Sequence, residues 1–295
     1  MSKSRSSGPL IAAGWLRTLV FIFTFIVMAI VAVISIFSKL LFDNAKGIGL
    51  HDVMKGNNLL VLTFILFALA LILTYSFRRW VDRKSFISLG LNYEGQGKDG
   101  AAGLMLAIFI VGGSSLLLKA TGHLKWMDII FDPRALFLVF GTVLLTAFYE
   151  ELIFRGYILN NLMDSFPKWL ALLISALLFM IFHWTSSGFF PLLNVFIMGL
   201  IPGLNYIYTR NLWFPICFHT GWKFLEGPVL GLSGNESFQT LLQTDLHGDE
   251  IVTGGINGLE GSVFLMAVSL LSLAALYLFL QKRINPLSRP APGQI

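Results

Sequence analysis

Runs of about 20 mostly apolar residues, the length that a bilayer-spanning helix needs, recur along the chain, each closed off by charge, glycine or proline. Eight stand out: Leu16 to Leu41, Leu59 to Phe77, Gly100 to Leu118, Arg134 to Met163, Trp169 to Trp184, Phe189 to Tyr208, Phe214 to Val229 and Ser262 to Leu280. The pattern predicts an all-α integral membrane protein of about eight transmembrane helices. The first three runs carry no acidic residue and the eighth is a plain hydrophobic anchor, whereas the fifth and sixth are short or marked by glycine and proline. The seventh is the least regular. The first run is too long for the core of a secretory signal and has no small-residue cleavage site after it, so it is expected to be retained as a helix.

The connecting segments complete the layout. Residues 1–15 read as a tail, and 16–133 hold the first three helices. Within them Arg78 to Asn92 (RRWVDRKSFISLGLN) combines basic residues with Phe86, Ile87, Leu89 and Leu91, as an interfacial segment on the inner leaflet would. Residues 134–234 form a core rich in unusual polar residues, 235–261 a loop, and 262–295 the last helix with a proline-rich tail. Orientation follows from Lys and Arg in the short loops. With the amino terminus inside, twelve cations (Lys3, Arg5, Arg78, Arg79, Arg83, Lys84, Lys98, Lys168, Arg210, Lys282, Arg283 and Arg289) fall on the cytoplasmic side. Five (Lys46, Lys55, Lys119, Lys125 and Arg134) fall opposite. Gly227 to Gly261 has no Lys or Arg and five acids, so it is expected outside, with both termini in the cytoplasm.

Composition agrees: of 295 residues, 56% are hydrophobic and 13% charged, with a mean hydropathy of +0.76. A soluble domain is about 45–50% apolar and about 25% charged, so a water-soluble fold is excluded. The net charge of +5 comes without a basic stripe interleaved with aromatics; the cations follow membrane topology, and no nucleic-acid partner is implied. The single Cys217 excludes an internal disulfide, and no CxxC pair suggests a structural zinc.

Against this background six ionisable residues stand at membrane depth: Glu150, Glu151 and Arg155 on the fourth helix, His183 on the fifth, and His219 and Lys223 on the seventh. Each central charge costs about 2.5–3.5 kcal/mol on insertion scales, and polar groups in lipid must find one another or water. One shared polar pocket formed by helices 4, 5 and 7 is the economical solution. Glu151 and Arg155 are spaced i,i+4 with the acid first, the favoured order for a helical ion pair. Glu150 lies about 100° round the helix and is left available. A carboxylate in an apolar pocket is suited to act as a general base, and the two histidines to orient a water or steady an oxyanion.

The motifs carrying these residues resemble the CPBP family of intramembrane proteases, which includes the CAAX prenyl proteases and the bacterial Abi proteins. Glu150-Glu151-Leu-Ile-Phe-Arg155 matches its EExxxR, Phe179-Met-Ile-Phe-His183 its FxxxH, and Phe218-His219-Thr-Gly-Trp-Lys223 falls where the family has a histidine followed four residues later by Asn. The resemblance covers Arg134 to Gly234. It implies a membrane-embedded endopeptidase acting on a peptide or a membrane-protein tail. By resemblance, Glu150 activates water, His183 orients it, His219 serves the oxyanion, and Glu151, Arg155 and Phe179 support the pocket. No cofactor is implied firmly: members are described both as metalloproteases and as metal-free glutamate proteases. Lys223 departs from the pattern. On a helix it shares a face with His219; a charged Lys223 there would repel a divalent metal and weaken Glu150 as a base. Pairing with Glu226, or snorkelling, are its alternatives. Two other readings stand beside the endopeptidase: an inactive family member serving as scaffold, regulator or immunity protein, and a proton-coupled transporter.

Overall fold

Every one of the eight apolar runs folds as a helix. The computed structural model describes residues 8–43, 56–92, 97–184, 188–234 and 238–284. Most of the amino-terminal tail, part of the first loop with Lys46 and Lys55, and the proline-rich end from residue 285 lie outside the described residues.

The helices are α1 (Gly14–Asp43), α2 (Gly56–Ser76, continued by a π turn, Phe77–Val81), α3 (Gly97–Ala120) and α4 (Pro133–Glu151). The last continues through a π stretch, Leu152–Leu159, and ends at Leu162. They are followed by α5 (Lys168–Phe182), α6 (Phe189–Thr209), α7 (Trp213–Phe224, continued by a π turn, Leu225–Val229) and α8 (Val263–Ile284). By length and composition six are able to cross a membrane: Gly14–Ser38, Asn58–Val81, Gly97–Ala120, Pro133–Leu162, Phe189–Thr209 and Val263–Arg283. This is a multi-pass, all-α membrane architecture. The expected eight spans are thus eight helices but six of spanning length. α5 has 15 residues, and α7 has 12 with 5 more in its π turn, about 22 and 25 Å at about 1.5 Å per residue, both short of a hydrocarbon core of about 30 Å. These two short helices carry the histidines.

Close helix contact depends on residues without side chains, as expected where lipid supplies no hydrophobic drive between helices. A Cβ on Gly103 of α3 would lie 2.4 Å from the Phe214 carbonyl oxygen on α7, and one on Gly199 of α6 would meet Ala176 of α5 at 3.1–3.3 Å. These contacts seat α7 against α3 and α5 against α6.

Two features are not legible in the hydropathy pattern. A two-stranded antiparallel sheet joins β1 (Leu124–Ile129) to β2 (Leu242–Leu246), with Leu124 opposite Leu246 and a bulge between Trp126 and Asp128. It knits the segment expected as an outside loop onto the end of α3. At the other end of the bundle, the expected interfacial segment forms the π turn and a 3-10 turn (Phe86–Leu89), and it contributes a buried charge network. Asp82 takes Arg17 at 3.1 Å and Arg78 at 2.9 Å, and Tyr157 and Asn161 each donate to it at 3.3 Å. Arg17 also reaches Asp164 at 2.8 Å, where Lys84 lies at 3.2 Å. Asp164 stands just beyond the end of α4. Burial would raise its carboxyl, but the Arg17 hydrogen bond and the Lys84 charge hold it below the ordinary value of 3.8.

Candidate functional site

The fourth helix places its two acids at the end of regular α geometry, where the π stretch begins. Such wide turns are rare and cluster at functional positions. Arg155, inside the stretch, donates from Nη1 to Glu151 Oε1 at 2.9 Å and from Nη2 to the Gly199 carbonyl at 3.1 Å. Its guanidinium carbon lies 4.4 Å from the centre of the Phe179 ring. The glycine that admits α5 to α6 therefore also offers its carbonyl to the arginine.

Glu151 bridges Arg155 and His219: the same Oε1 lies 2.9 Å from His219 Nδ1. On the far side of that imidazole, Nε2 is 3.7 Å from Glu150 Oε2. The sequence geometry sends Glu150 and Glu151 in different directions; in the structure they approach opposite nitrogens of one ring. His183 closes the group. It caps the end of α5, its Nδ1 lies 3.0 Å from the Phe179 carbonyl of the preceding turn, and its Nε2 is 3.2 Å from Glu150 Oε2. Glu150, Glu151, Arg155 and His219 are buried, while the His183 side chain keeps 23% of its surface exposed. His183 is the most exposed member of this group.

These contacts constrain protons. A carbonyl and a carboxylate only accept, so the hydrogen of each imidazole belongs on Nδ1. Both Nε2 atoms then present lone pairs to the Glu150 carboxylate, which has no well-aligned hydrogen-bond partner on Oε2. Three acceptors converge, and a proton or another positive centre must lie among them. Among the described residues no group of three or more His, Cys, Asp or Glu has the arrangement of a metal site.

Lys223 sits one turn beyond His219 on α7, but its ammonium pairs with Glu260, which lies in the short turn before α8. The expected pairing with Glu226 gives way to this one. Glu226 is buried, with Oε1 unpartnered. Glu260 is the residue that sequence reasoning missed: an acid in a loop 37 positions from its partner gives no periodic signal.

An apolar cavity of about 120 Å³, lined by Phe21, Phe25, Ile153, Phe154, Leu178 and Phe182, lies between α1, α4 and α5. Phe182 stands edge-on to the His183 ring at 5.3 Å.

Comparison with known proteins bears on the segment that carries these residues. Residues 132–225, which contain all three motifs, match the family model described as type II CAAX prenyl endopeptidase Rce1-like. This segment is similar to the CAAX-endopeptidase domains that the family model describes. An Escherichia coli protein described as an uncharacterized 24.3 kDa protein is 27% identical over 176 residues, covering 58% of this chain and 76% of its own length. No solved structure matches the chain. The Rce1-like segment ends at residue 225, so Glu226 and Glu260 lie beyond it.

Proposed function

We propose that this protein is a membrane-embedded endopeptidase that hydrolyses a peptide bond with a water activated by Glu150. The observation that carries the reading is the convergence of the two Nε2 atoms on a buried carboxylate, with both Nδ1 atoms already committed.

In this mechanism water binds at the open side of the pocket, donating to Glu150 Oε2 and steadied by His183 Nε2. His219, flanked by two carboxylates, carries the extra proton on Nε2 and is a donor. The substrate carbonyl accepts from His219 as the water oxygen attacks the carbonyl carbon and Glu150 takes the water proton. The oxyanion is held by the same donor in a low-dielectric pocket, where such a bond is worth far more than in water. Collapse expels the amine, which receives its proton from Glu150. Glu151 and Arg155 hold His219 in the required tautomer, as an outer carboxylate commonly does for a working histidine.

The substrate class is a peptide or the tail of a membrane protein. The apolar cavity that Phe182 lines, beside the His183 ring, suits a segment arriving from the bilayer. The inactive reading drew its force from an uncompensated Lys223, and the ion pair with Glu260 supplies the compensation. A quenched peptide library presented to the purified protein in detergent tests the proposal: cleavage by wild type that is lost in Glu150→Gln supports it, and cleavage that survives Glu150→Gln contradicts it.

A further inference from the structure

We infer that Glu260 is a positioning residue for the pocket: it holds the Lys223 ammonium away from Glu150, so that the carboxylate keeps its strength as a base. This rests on the endopeptidase reading.

The turn that bears Glu260 is built into the fold. Asn194, buried on α6, donates from Nδ2 to the Glu260 carbonyl at 2.7 Å and to the Ser262 carbonyl at 3.2 Å. The Leu259 N–H donates to the Leu232 carbonyl at 2.7 Å, tying the turn to the chain that leaves α7. The Glu260 carboxylate is thus delivered to the ammonium from outside the helix that carries Lys223.

The charged groups facing this corner are Glu150, Glu151 and Arg155 from α4, His183 from α5, and His219, Lys223 and Glu226 from α7. Arg155 is committed to Glu151 and to carbonyls, so Lys223 is the cation free to choose among carboxylates. With Glu260 in place it takes Glu260. Without it, the remaining partners are Glu226, three residues along its own helix, and Glu150. An ammonium that moves toward Glu150 satisfies the carboxylate whose unsatisfied state the mechanism needs. Position 223 and position 260 therefore work as a matched pair: the cation is tolerated beside the pocket because the turn before α8 brings an acid to it.

The test is a double-mutant cycle in the full-length protein in detergent, comparing wild type, Glu260→Gln, Lys223→Asn and the double variant. Glu260→Gln is expected to lower kcat about tenfold or more with KM within about twofold, the signature of a loss confined to the chemical step. Removing the stranded cation in the double variant is expected to restore kcat to within about threefold of Lys223→Asn, a strongly non-additive result. A double variant as slow as Glu260→Gln overturns the inference. Unfolding midpoints of the same four proteins read the pair independently: coupled shifts support it, and additive shifts overturn it even if no cleavage is seen. Absence of Glu150-dependent cleavage in wild type would instead count against the endopeptidase reading, and the unfolding cycle alone would then decide whether residues 223 and 260 act as a pair.

Discussion

Glu151 and Glu150 are neighbours in sequence with opposite demands on them. Glu151 has two strong partners, Arg155 and His219, at 2.9 Å each, while Glu150 meets two histidines through their Nε2 atoms. Replacing Glu151 by Ala strands a buried guanidinium, and breaking a buried pair from one side costs about 3–5 kcal/mol; unfolding in detergent should show a loss of that size, and a loss below about 1 kcal/mol would mean that the Gly199 carbonyl alone satisfies Arg155. His183 is different. It is the most exposed member of the group, so His183→Ala should lower kcat by about 100-fold or more, in the range of a positioned proton-handling group, with a much smaller change in unfolding midpoint than Glu151→Ala. Equal damage to fold and rate would assign His183 to the scaffold. The six polar residues were legible in the sequence because charge at membrane depth is costly enough to demand a partner. Their individual partners were not, since the i,i+4 rule gives Arg155 to Glu151 but says nothing of which ring nitrogen faces which acid.

At the level of elements, the short helices and the π stretch account for the pocket's shape. A hydropathy window finds α5 and α7 as apolar runs yet cannot see that both helices stop short of a full crossing. A π stretch leaves no compositional trace at all. β1 and β2 were missed because each is short and they pair across more than 100 positions. The buried network at the opposite end makes its own predictions. Asp82→Ala leaves Arg78 with Ser88 and Arg17 with Asp164, and should cost several kcal/mol, about 3–5 for a stranded buried charge, in an unfolding titration; a surface-like loss would contradict the network. Asp164 sets a pH dependence. Its carboxyl is held below 3.8 when folded, so its contribution is present in full above that value and is lost as pH falls through the lower folded one. Asp164→Asn should flatten the acid limb of the stability curve while leaving neutral behaviour nearly parallel to wild type, and an unchanged acid limb would show that Asp164 is not ionised in its pairs.

For the molecule as a whole, the helices and their order could be read from apolar runs to within a few residues, since lipid enforces that pattern more strictly than water does. The side of the membrane on which each end lies rests on the asymmetry of Lys and Arg. With Cys217 replaced by Ser, a single cysteine at Arg83 should react with an impermeant maleimide only from the cytoplasmic side, and one at Asp249 only from the other; labelling of both from one side would refute the orientation. Glu150 carries the proposed chemistry, and the measurement that reaches it is paired: cleavage of a peptide substrate and thermal unfolding, on the same preparation of wild type and Glu150→Gln. The amide keeps the shape of the carboxylate, with an NH2 to donate to His183 Nε2 and an oxygen to accept from His219 Nε2, so cleavage is expected to disappear while the unfolding midpoint is retained or raised. Retained cleavage, or a protein that loses its fold along with its activity, would contradict a catalytic Glu150.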